Sequence, residues 1–175
     1  MRGYTSLAEK NKPEDVARLM NRFYGVATGV LAGREAVIDK LIGDEVMALF
    51  IRGFAGPQYV GKMATAAEEL LRGAGYGGRE EPWLALGVGL DFGPAFVGNV
   101  GSGEVKDFTA LGDVVNTAAR LQAEARPGQI VMSERVYEQV AERYPQAPAV
   151  ELTVKGKSEP VAARVLDLTT AGAAA

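Results

Sequence analysis

The chain has 175 residues, of which 47% are hydrophobic and 23% are charged, and this is enough apolar material for the core of one domain. Its formal net charge is −3, which argues against a nucleic-acid-binding protein, because such proteins usually carry a basic stripe. The sequence contains no Cys and no His, which excludes disulfides, Cys or His zinc ligands, cysteine nucleophiles and Ser-His-Asp triads. Any catalysis must therefore use carboxylates, amides, hydroxyls, Lys, Arg, backbone N–H groups and hard metal ions such as Mg²⁺ or Mn²⁺.

Helices and a hairpin are predicted in the first half of the chain. Pro13 to Leu31 is predicted to be a helix, because Pro suits the first turn and apolar residues recur on one face. Two short apolar runs, Ala36 to Ile42 and Val46 to Ile51, flank Gly43-Asp44, which is typical of a hairpin turn. Tyr59 to Leu71 repeats the helical period.

The second half alternates between short strands and helices after a Gly-rich loop from Gly73 to Pro82. Strands are predicted at Trp83 to Leu90 and at Ala95 to Val100, joined across Asp91 to Pro94. The remaining predicted elements are helices at Val114 to Glu124 and at Ser133 to Ala141, capped by Ser133, and a strand at Ile130 to Met132. Glu151 to Lys155 and Val161 to Leu168 are predicted to form a terminal pair of strands. This order indicates a single α+β domain with a largely antiparallel sheet.

No apolar run approaches the roughly 18 residues that a membrane-spanning helix needs. No secretory signal opens the chain. We therefore expect a cytoplasmic domain that makes no membrane contact and binds no nucleic acid. Thr169 to Ala175, at the end of the chain, is expected to be a disordered tail.

Asp44 is a candidate metal ligand, because a carboxylate at the tip of a tight hairpin is held rigidly and Gly43 permits close approach. The alternative is that Asp44 only favours the turn, with Lys40 solvated at a strand edge. Asn116 and Arg120 are four residues apart, so they share a face of the predicted helix. An amide and a guanidinium that reach one point suit phosphoryl transfer, although the same pair also fits a polar outer face.

Two further segments could bind phosphate. A Gly followed by hydroxyl residues, Gly3 to Ser6, could present successive backbone N–H groups to an anion, or could be an ordinary loop. Lys155-Gly156-Lys157 places two cations about a Gly at a strand end, where they could reach a phosphate, but taken alone the segment is better explained as a solvated turn.

The order and spacing of these segments resemble the catalytic domain of class III nucleotide cyclases, the adenylate and guanylate cyclase homology family. The resemblance extends from Arg2 to about Leu168, and the run Gly-x-x-Val-Asn-x-Ala-x-Arg, from Gly112 to Arg120, is highly specific. The other matching segments are Arg2 to Leu7, Lys40 to Asp44, Gly87 to Gly89, Gly98 to Ser102, Phe108 to Leu121 and Leu152 to Gly156.

The resemblance implies an α+β fold over residues 1–168, with a ferredoxin-like βαββαβ core and a C-terminal hairpin extension. It also implies a head-to-tail homodimer whose active sites lie at the interface. Each site would convert a nucleoside triphosphate to a 3′,5′-cyclic monophosphate and pyrophosphate, with Mg²⁺ or Mn²⁺ held by two Asp residues of one subunit. Regulatory domains could lie outside this chain.

Individual site residues are assigned by the same resemblance. Asp44 matches the second metal-binding Asp of the family. Asn116 matches the residue that positions the ribose, and Arg120 matches the cation that stabilises the transition state at the α-phosphate. The positions that match groups on the phosphates are Lys155, on the triphosphate tail, and the backbone N–H groups of Gly3, Tyr4 and Thr5.

Lys40 and Thr109 match the base-selecting pair, in the pattern of bacterial adenylate cyclases in which Thr replaces the more usual Asp. Adenine presents an acceptor at N1 and a donor at its 6-amino group. Lys40 can donate to the ring, and the Thr109 hydroxyl can accept from the amino group. Guanine exchanges donor and acceptor at both of these positions. The resemblance implies Glu and Cys at the two matching places in the family's guanylate cyclases. The pair therefore favours ATP as substrate.

One departure from the family pattern concerns the metal site. The family's first metal-binding Asp ends a central strand and directly precedes the residue that matches Met1, so this sequence contains neither the Asp nor the strand. We therefore expect a fold without its first strand, at most one well-held metal ion and little turnover by the chain as printed. A smaller departure is Val105, where many relatives have Arg.

Two other functions stay open. A non-catalytic cyclase-homology module, which dimerises or binds nucleotide without turnover, fits the missing Asp but leaves the retained site residues unexplained. A diguanylate cyclase is suggested by Gly43-Asp44-Glu45, but the Gly-Gly pair of its signature is absent and the helix with Asn116 and Arg120 would have no role. The sequence therefore favours an adenylate cyclase.

Overall fold

The structure is a computed structural model that describes residues 1–102, 105–152 and 160–169. It is an α+β fold, and no helix in these ranges combines the length and apolarity that a membrane span requires. The elements in chain order are α1 Tyr4–Lys10, α2 Pro13–Gly33, β1 Val37–Ile42, β2 Glu45–Leu49, α3 Arg52–Ala55, α4 Tyr59–Gly73, β3 Val88–Leu90, β4 Phe96–Ser102, β5 Val105–Leu111, α5 Asp113–Glu124, β6 Gln129–Ser133, α6 Glu134–Val140, β7 Ala149–Leu152 and β8 Val161–Asp167.

A four-stranded sheet in the order β3-β6-β8-β7 forms the centre of the molecule, with β3 parallel to β6 and the other pairs antiparallel. Side chains of β6 alternate between two cores, because successive residues of a strand point to opposite faces. Ile130 and Met132 join the main core, which α2, α4 and α6 cover. Val131 joins a smaller core with Leu121 of α5. The sheet thus separates α5 from the other long helices.

Two antiparallel hairpins accompany this sheet. The hairpin β1–β2 packs against α2, and its register shifts between Ile38 and Lys40, so Asp39 is the extra residue of a β-bulge. The hairpin β4–β5 runs directly into α5 through Gly112. Within the described residues, neither hairpin shares a ladder with the four-stranded sheet.

The first two residues lie between the β1–β2 hairpin and the main sheet. The Met1 nitrogen donates to the Asp44 carbonyl oxygen at 2.6 Å, and the Arg2 amide donates to the Ala85 carbonyl at 2.7 Å, just before β3. This is the place at which the resemblance puts the end of the family's first strand.

The structure confirms the predicted helices α2, α4 and α5, the hairpin at Gly43-Asp44 and the pairing of β7 with β8. The predicted strand Trp83 to Leu90 is wrong over most of its length, since only Val88–Leu90 is a strand. It does not pair with the next strand either, because β3 pairs with β6 and β4 pairs with the unpredicted β5. Residues 153–155 of the predicted strand Glu151 to Lys155, and residues 170–175 of the predicted tail, lie outside the described ranges.

Two local features also differ from expectation. Helix α1 was not predicted, although it begins directly after Gly3, whose φ of 73° is the left-handed conformation that Gly adopts readily. Ser133 occupies the N-cap position of α6 but does not cap it with its side chain. Its hydroxyl is turned toward the buried Asp91 carboxylate and donates to Oδ1 at 2.6 Å.

Candidate active site

Lys40 and Thr109, the predicted base-selecting pair, lie where β1 and β5 meet. The Lys40 ammonium forms an ion pair with the Asp107 carboxylate, and the Thr109 hydroxyl donates to Asp39 Oδ2 at 3.0 Å. Thr109 is 7% exposed, whereas the side chain of Asp107 is 63% exposed. The fold thus brings the pair together and adds two carboxylates that sequence reasoning did not single out. For Asp107, the signal in the sequence was its two-residue spacing from Thr109, which places both side chains on one face of a strand. Nothing in the sequence pointed to Asp39.

Asp44 lies in the turn of the β1–β2 hairpin, where Gly43 adopts a φ of 56°. Its side chain is 28% exposed, and Oδ2 lies 3.2 Å from the Met1 nitrogen. No cluster of three or more metal-ligating side chains occurs in the described part of the chain. Mg²⁺ is often held by one or two carboxylates together with water and substrate phosphates. The single carboxylate of Asp44 therefore fits a metal ion that arrives with a nucleotide.

Asn116 and Arg120 lie on one face of α5. Asn116 is exposed and Arg120 is half-buried. Over residues 1–102, 105–152 and 160–169, neither side chain forms a hydrogen bond or an ion pair. In the same ranges, no hydrogen bond or ion pair joins Asp44 to α5. The helix therefore presents an amide and a guanidinium that are both available to a ligand.

Two glycines explain why α5 can lie so close to the sheet. A Cβ built on Gly89 would stand 2.2 Å from the Gln122 nitrogen and 2.4 Å from the Ala118 oxygen, and one on Gly87 would stand 2.7 Å from the Ala125 oxygen. Gly87, just before β3, and Gly89 within it thus permit backbone contact with the helix that carries Asn116 and Arg120 and with the residue that follows it.

The predicted phosphate-binding residues are only partly described. Gly3 precedes α1, and Tyr4 and Thr5 form its first turn, where backbone N–H groups have no partner four residues earlier in the helix. Their predicted role stays a prediction. Lys155 lies outside the described residues.

A buried carboxylate, which sequence reasoning missed, fixes the loop after β3. The side chain of Asp91 is 0% exposed and accepts hydrogen bonds from Ser133 and from Arg135 of α6, whose Nε lies 2.6 Å from Oδ1. The hydrogen bonds to Asp91 raise the pKa of Arg135, and the charge of Asp113 at the start of α5 raises it further. Arg135 therefore links α6 electrostatically to the start of the helix that carries Asn116.

Large apolar side chains are exposed on the β4–β5 hairpin and at the end of β1. The exposed fractions of Phe96, Phe108 and Leu111 are 56%, 53% and 50%. A two-stranded hairpin is marginally stable in water unless its apolar face is covered. Exposed apolar patches on soluble proteins commonly mark interfaces. We call this set the hairpin surface: Phe96 and Leu111 lie on one face of the hairpin, Val97 and Phe108 lie on the other, and Leu41 and Ile42 of β1 complete the set.

Comparison with known proteins gives the same family as the site residues. A family model described as the adenylate and guanylate cyclase catalytic domain matches residues 1–165. The chain belongs to this family. Among its relatives, this cyclase domain is 30% identical over 124 residues to adenylate cyclase 1 of Rhizobium meliloti, covering 68% of the chain and 19% of that protein. It is also 30% identical over 128 residues to an adenylate cyclase of Anabaena cylindrica, covering 70% of the chain and 25% of that protein.

Solved structures resemble the cyclase domain over nearly its whole length. The guanylyl cyclase Cya2 matches with a TM-score of 0.81 and 26% identity, covering 96% of the chain and 92% of that structure. The adenylyl cyclase CyaB from P. aeruginosa matches with a TM-score of 0.72 and 25% identity, covering 95% and 89%. Cyclases of both nucleotide types thus share the fold. The named curated relatives are several times longer than the chain, which spans 19% and 25% of them.

Proposed function

We propose that this cyclase domain is an adenylate cyclase that converts ATP to 3′,5′-cyclic AMP and pyrophosphate. The observation that carries the proposal is the meeting of Lys40 and Thr109 at the contact between β1 and β5. One of these side chains is a fixed donor, and the other is held by Asp39. Two curated relatives named adenylate cyclases support the same assignment.

The chemistry of the base supports ATP rather than GTP. The Lys40 ammonium has three N–H donors, so one can remain on Asp107 while another faces N1 of adenine. The Thr109 hydroxyl can accept from the 6-amino group of adenine. Guanine carries a donor at N1 and an acceptor at O6, so the donor of Lys40 would face another donor, and a hydroxyl that accepts would face another acceptor. Each unpaired buried polar group costs about 1–3 kcal/mol.

Ring closure joins the ribose 3′-oxygen to the α-phosphorus, breaks the bond from that phosphorus to the oxygen of the leaving pyrophosphate, and releases the 3′-hydroxyl proton to water. Arg120 would donate to the α-phosphate oxygens, where negative charge grows in the transition state, and a fixed cation there needs no reorganisation. Asn116, one helical turn earlier, would hold the ribose so that the 3′-oxygen stands in line with the leaving group. Neither role needs a His base, and the chain contains none.

Asp44 is the residue that would hold a divalent metal ion, Mg²⁺ or Mn²⁺, beside the phosphates. Such an ion lowers the pKa of the attacking hydroxyl and offsets phosphate charge. The carboxylate of Asp44 would orient the nucleotide through that ion, while the first turn of α1 and Lys155 would bind the remaining phosphate oxygens.

The hairpin surface supports a homodimer with shared active sites. Its members on β1 and β5 share those strands with Lys40 and Thr109, so a second copy covering them would stand beside the nucleotide. An interface around a two-fold axis creates two equivalent sites. We infer that Asp44 of one protomer faces Asn116 and Arg120 of the other, and that any regulatory domains outside this chain would act on this approach.

The test is to measure the cyclisation of ATP and of GTP, with Mg²⁺ and with Mn²⁺, by the protein as its whole gene encodes it (the full-length protein), because little turnover is expected of the printed chain alone. We expect kcat/KM to be higher for ATP by at least about tenfold, since 1.4 kcal/mol corresponds to one decade. Lys40→Ala should reduce this preference, and the matched control Lys62→Ala, which removes a lysine paired with Glu35, should leave it unchanged.

Three results would contradict the proposal. An equal or greater efficiency with GTP would defeat the base assignment. Binding of ATP without any cyclisation would identify a non-catalytic nucleotide-binding module instead. Formation of a cyclic dinucleotide from GTP would point to the diguanylate cyclase alternative.

A further inference from the structure

The bulge in β1 gives two successive side chains access to the same neighbouring strand. In a regular strand, Asp39 and Lys40 would point to opposite faces of the hairpin. The register shift between Ile38 and Lys40 removes this alternation, because Asp39 has no partner on β2. Asp39 consequently contacts Thr109, and Lys40 contacts Asp107, two residues earlier on β5.

The contact between Asp39 and Thr109 has a defined direction. An ionised carboxylate only accepts hydrogen bonds, whereas a hydroxyl has one proton to donate and lone pairs that accept. The Thr109 hydroxyl lies 3.0 Å from Asp39 Oδ2 and must therefore donate its proton to the carboxylate. Its lone pairs remain, so toward any further ligand Thr109 is an acceptor only.

We propose that Asp39 is a positioning residue that sets the choice of ATP over GTP by fixing the Thr109 hydroxyl as an acceptor. This inference rests on the proposed function and adds a determinant of base choice to the pair described above. A threonine hydroxyl by itself does not discriminate, because it can rotate to accept from the 6-amino group of adenine or to donate to O6 of guanine. Asp39 removes the second option.

The surroundings of Asp39 strengthen the effect. Its other oxygen, Oδ1, is buried and has no hydrogen-bond partner in the described part of the chain. No N–H or O–H donor of the described residues therefore competes with Thr109 for the carboxylate. Thr109 is itself 7% exposed, which limits the freedom of its hydroxyl to turn toward water instead. A buried acceptor opposite guanine O6 would leave two acceptors facing each other without a proton between them.

Asp39→Asn is the substitution that tests this arrangement with the least change in shape. The side-chain amide can donate to Thr109, which frees the hydroxyl proton for guanine O6. We expect the ratio of the dissociation constants for GTP and ATP, measured by calorimetry on the full-length protein with Mg²⁺, to fall about tenfold. The ratio of kcat/KM values should fall in parallel. The matched control is Asp15→Asn, which changes an exposed carboxylate paired with Arg18 and should leave both ratios unchanged.

A double-mutant comparison separates this role from simple support of the fold. In a Thr109→Val background, the hydroxyl is gone, so Asp39→Asn should have no further effect on either ratio. A residue that only ties β1 to β5 would lower stability and the affinity for both nucleotides alike, without moving the ratio. If circular dichroism shows that Asp39→Asn does not fold, Asp39→Ala removes the acceptor without adding a donor, and the same fall in the ratio is expected.

The outcomes distinguish the inference from the function on which it rests. A wild-type protein that binds neither nucleotide, or prefers GTP, would overturn the proposed function. A wild-type protein that prefers ATP, with a ratio that Asp39→Asn leaves unchanged, would overturn the role of Asp39 alone. The same conclusion would follow if Asp39→Asn changed the ratio equally with and without the Thr109 hydroxyl.

Discussion

At the scale of single residues, some side chains of the candidate site are bound to other side chains of the protein, whereas others are available to bind a ligand. Lys40 and Thr109 each have a carboxylate partner, Asp107 and Asp39. Arg120 has no hydrogen bond or ion pair within the described ranges, although it is half-buried on α5. A base-binding group benefits from being fixed before the ligand arrives, because less conformational entropy is lost on binding. A cation that acts on developing charge must instead keep its donors free.

Replacing Arg120 by Ala tests the second of these roles. Because the guanidinium would act mainly in the transition state, we expect kcat to fall by on the order of 10²-fold or more while KM changes little. Ala is a good helix former, so α5 should remain folded. Steady-state kinetics on the full-length protein give both constants, and Arg18→Ala, which removes an exposed arginine from α2, serves as control. An unchanged kcat, or a loss that follows unfolding in circular dichroism, would make Arg120 a structural residue.

At the scale of the elements, the position of α5 depends on the absence of side chains on β3. The backbone of the helix around Gln122 occupies the space that a Cβ on Gly89 would need. Interiors are close-packed, so a misplaced methyl group forces neighbouring backbone to move. A shift of α5 by a fraction of an ångström would move Asn116 and Arg120 together.

Gly89→Ala is therefore expected to lower both stability and turnover. We expect the free energy of unfolding to fall by about 1–3 kcal/mol, the usual cost of overpacking, and kcat to fall because α5 is displaced. Urea denaturation followed by circular dichroism gives the first quantity, and turnover of ATP gives the second. Gly29→Ala is the matched control, since a Cβ at that exposed position of α2 meets nothing within 4 Å. It should stabilise the protein by roughly 0.5–1 kcal/mol. Equal behaviour of the two variants would contradict the packing argument.

At the scale of the whole molecule, no contact within the described chain joins Asp44 to the α5 residues, and the hairpin surface is uncovered. Both observations are explained if two copies associate and complete each other's sites. The apolar side chains on β4 and β5 would then pack against the partner, which would also stabilise a hairpin that shares no ladder with the main sheet in the described ranges.

Mixing two inactive variants tests this arrangement. Asp44→Ala and Arg120→Ala should each inactivate both sites of a homodimer. In a heterodimer of the two full-length variants, one site contains both changes and the other contains neither. We therefore expect the mixture to recover part of the wild-type turnover, with heterodimer formation shown by mass spectrometry. Heterodimers that form but recover no activity would indicate that each chain builds its site alone.

Local patterns along the chain were sufficient for much of the fold. The helical periods of α2, α4 and α5 are long, and the turn at Gly43-Asp44 is a short-range signal, so these elements could be predicted without knowledge of their neighbours. The pairing of β3 with β6 could not. These strands are parallel and separated by β4, β5 and α5, and the choice of partner depends on packing that no local window contains.

The sequence by itself determined the family and the kind of chemistry. The lack of Cys and His limits the site to oxygen ligands, cations and amides, and the spacing of Asn116 and Arg120 requires only a helix to bring them onto one face. Only the tertiary structure decided what Lys40 and Thr109 touch. The contacts with Asp107 and Asp39 depend on a β-bulge and on the meeting of two strands that are far apart along the chain. Asp39 and Thr109 are separated by 70 residues. Such pairings follow from burial and register across the whole molecule, so residue patterns along the chain do not contain them.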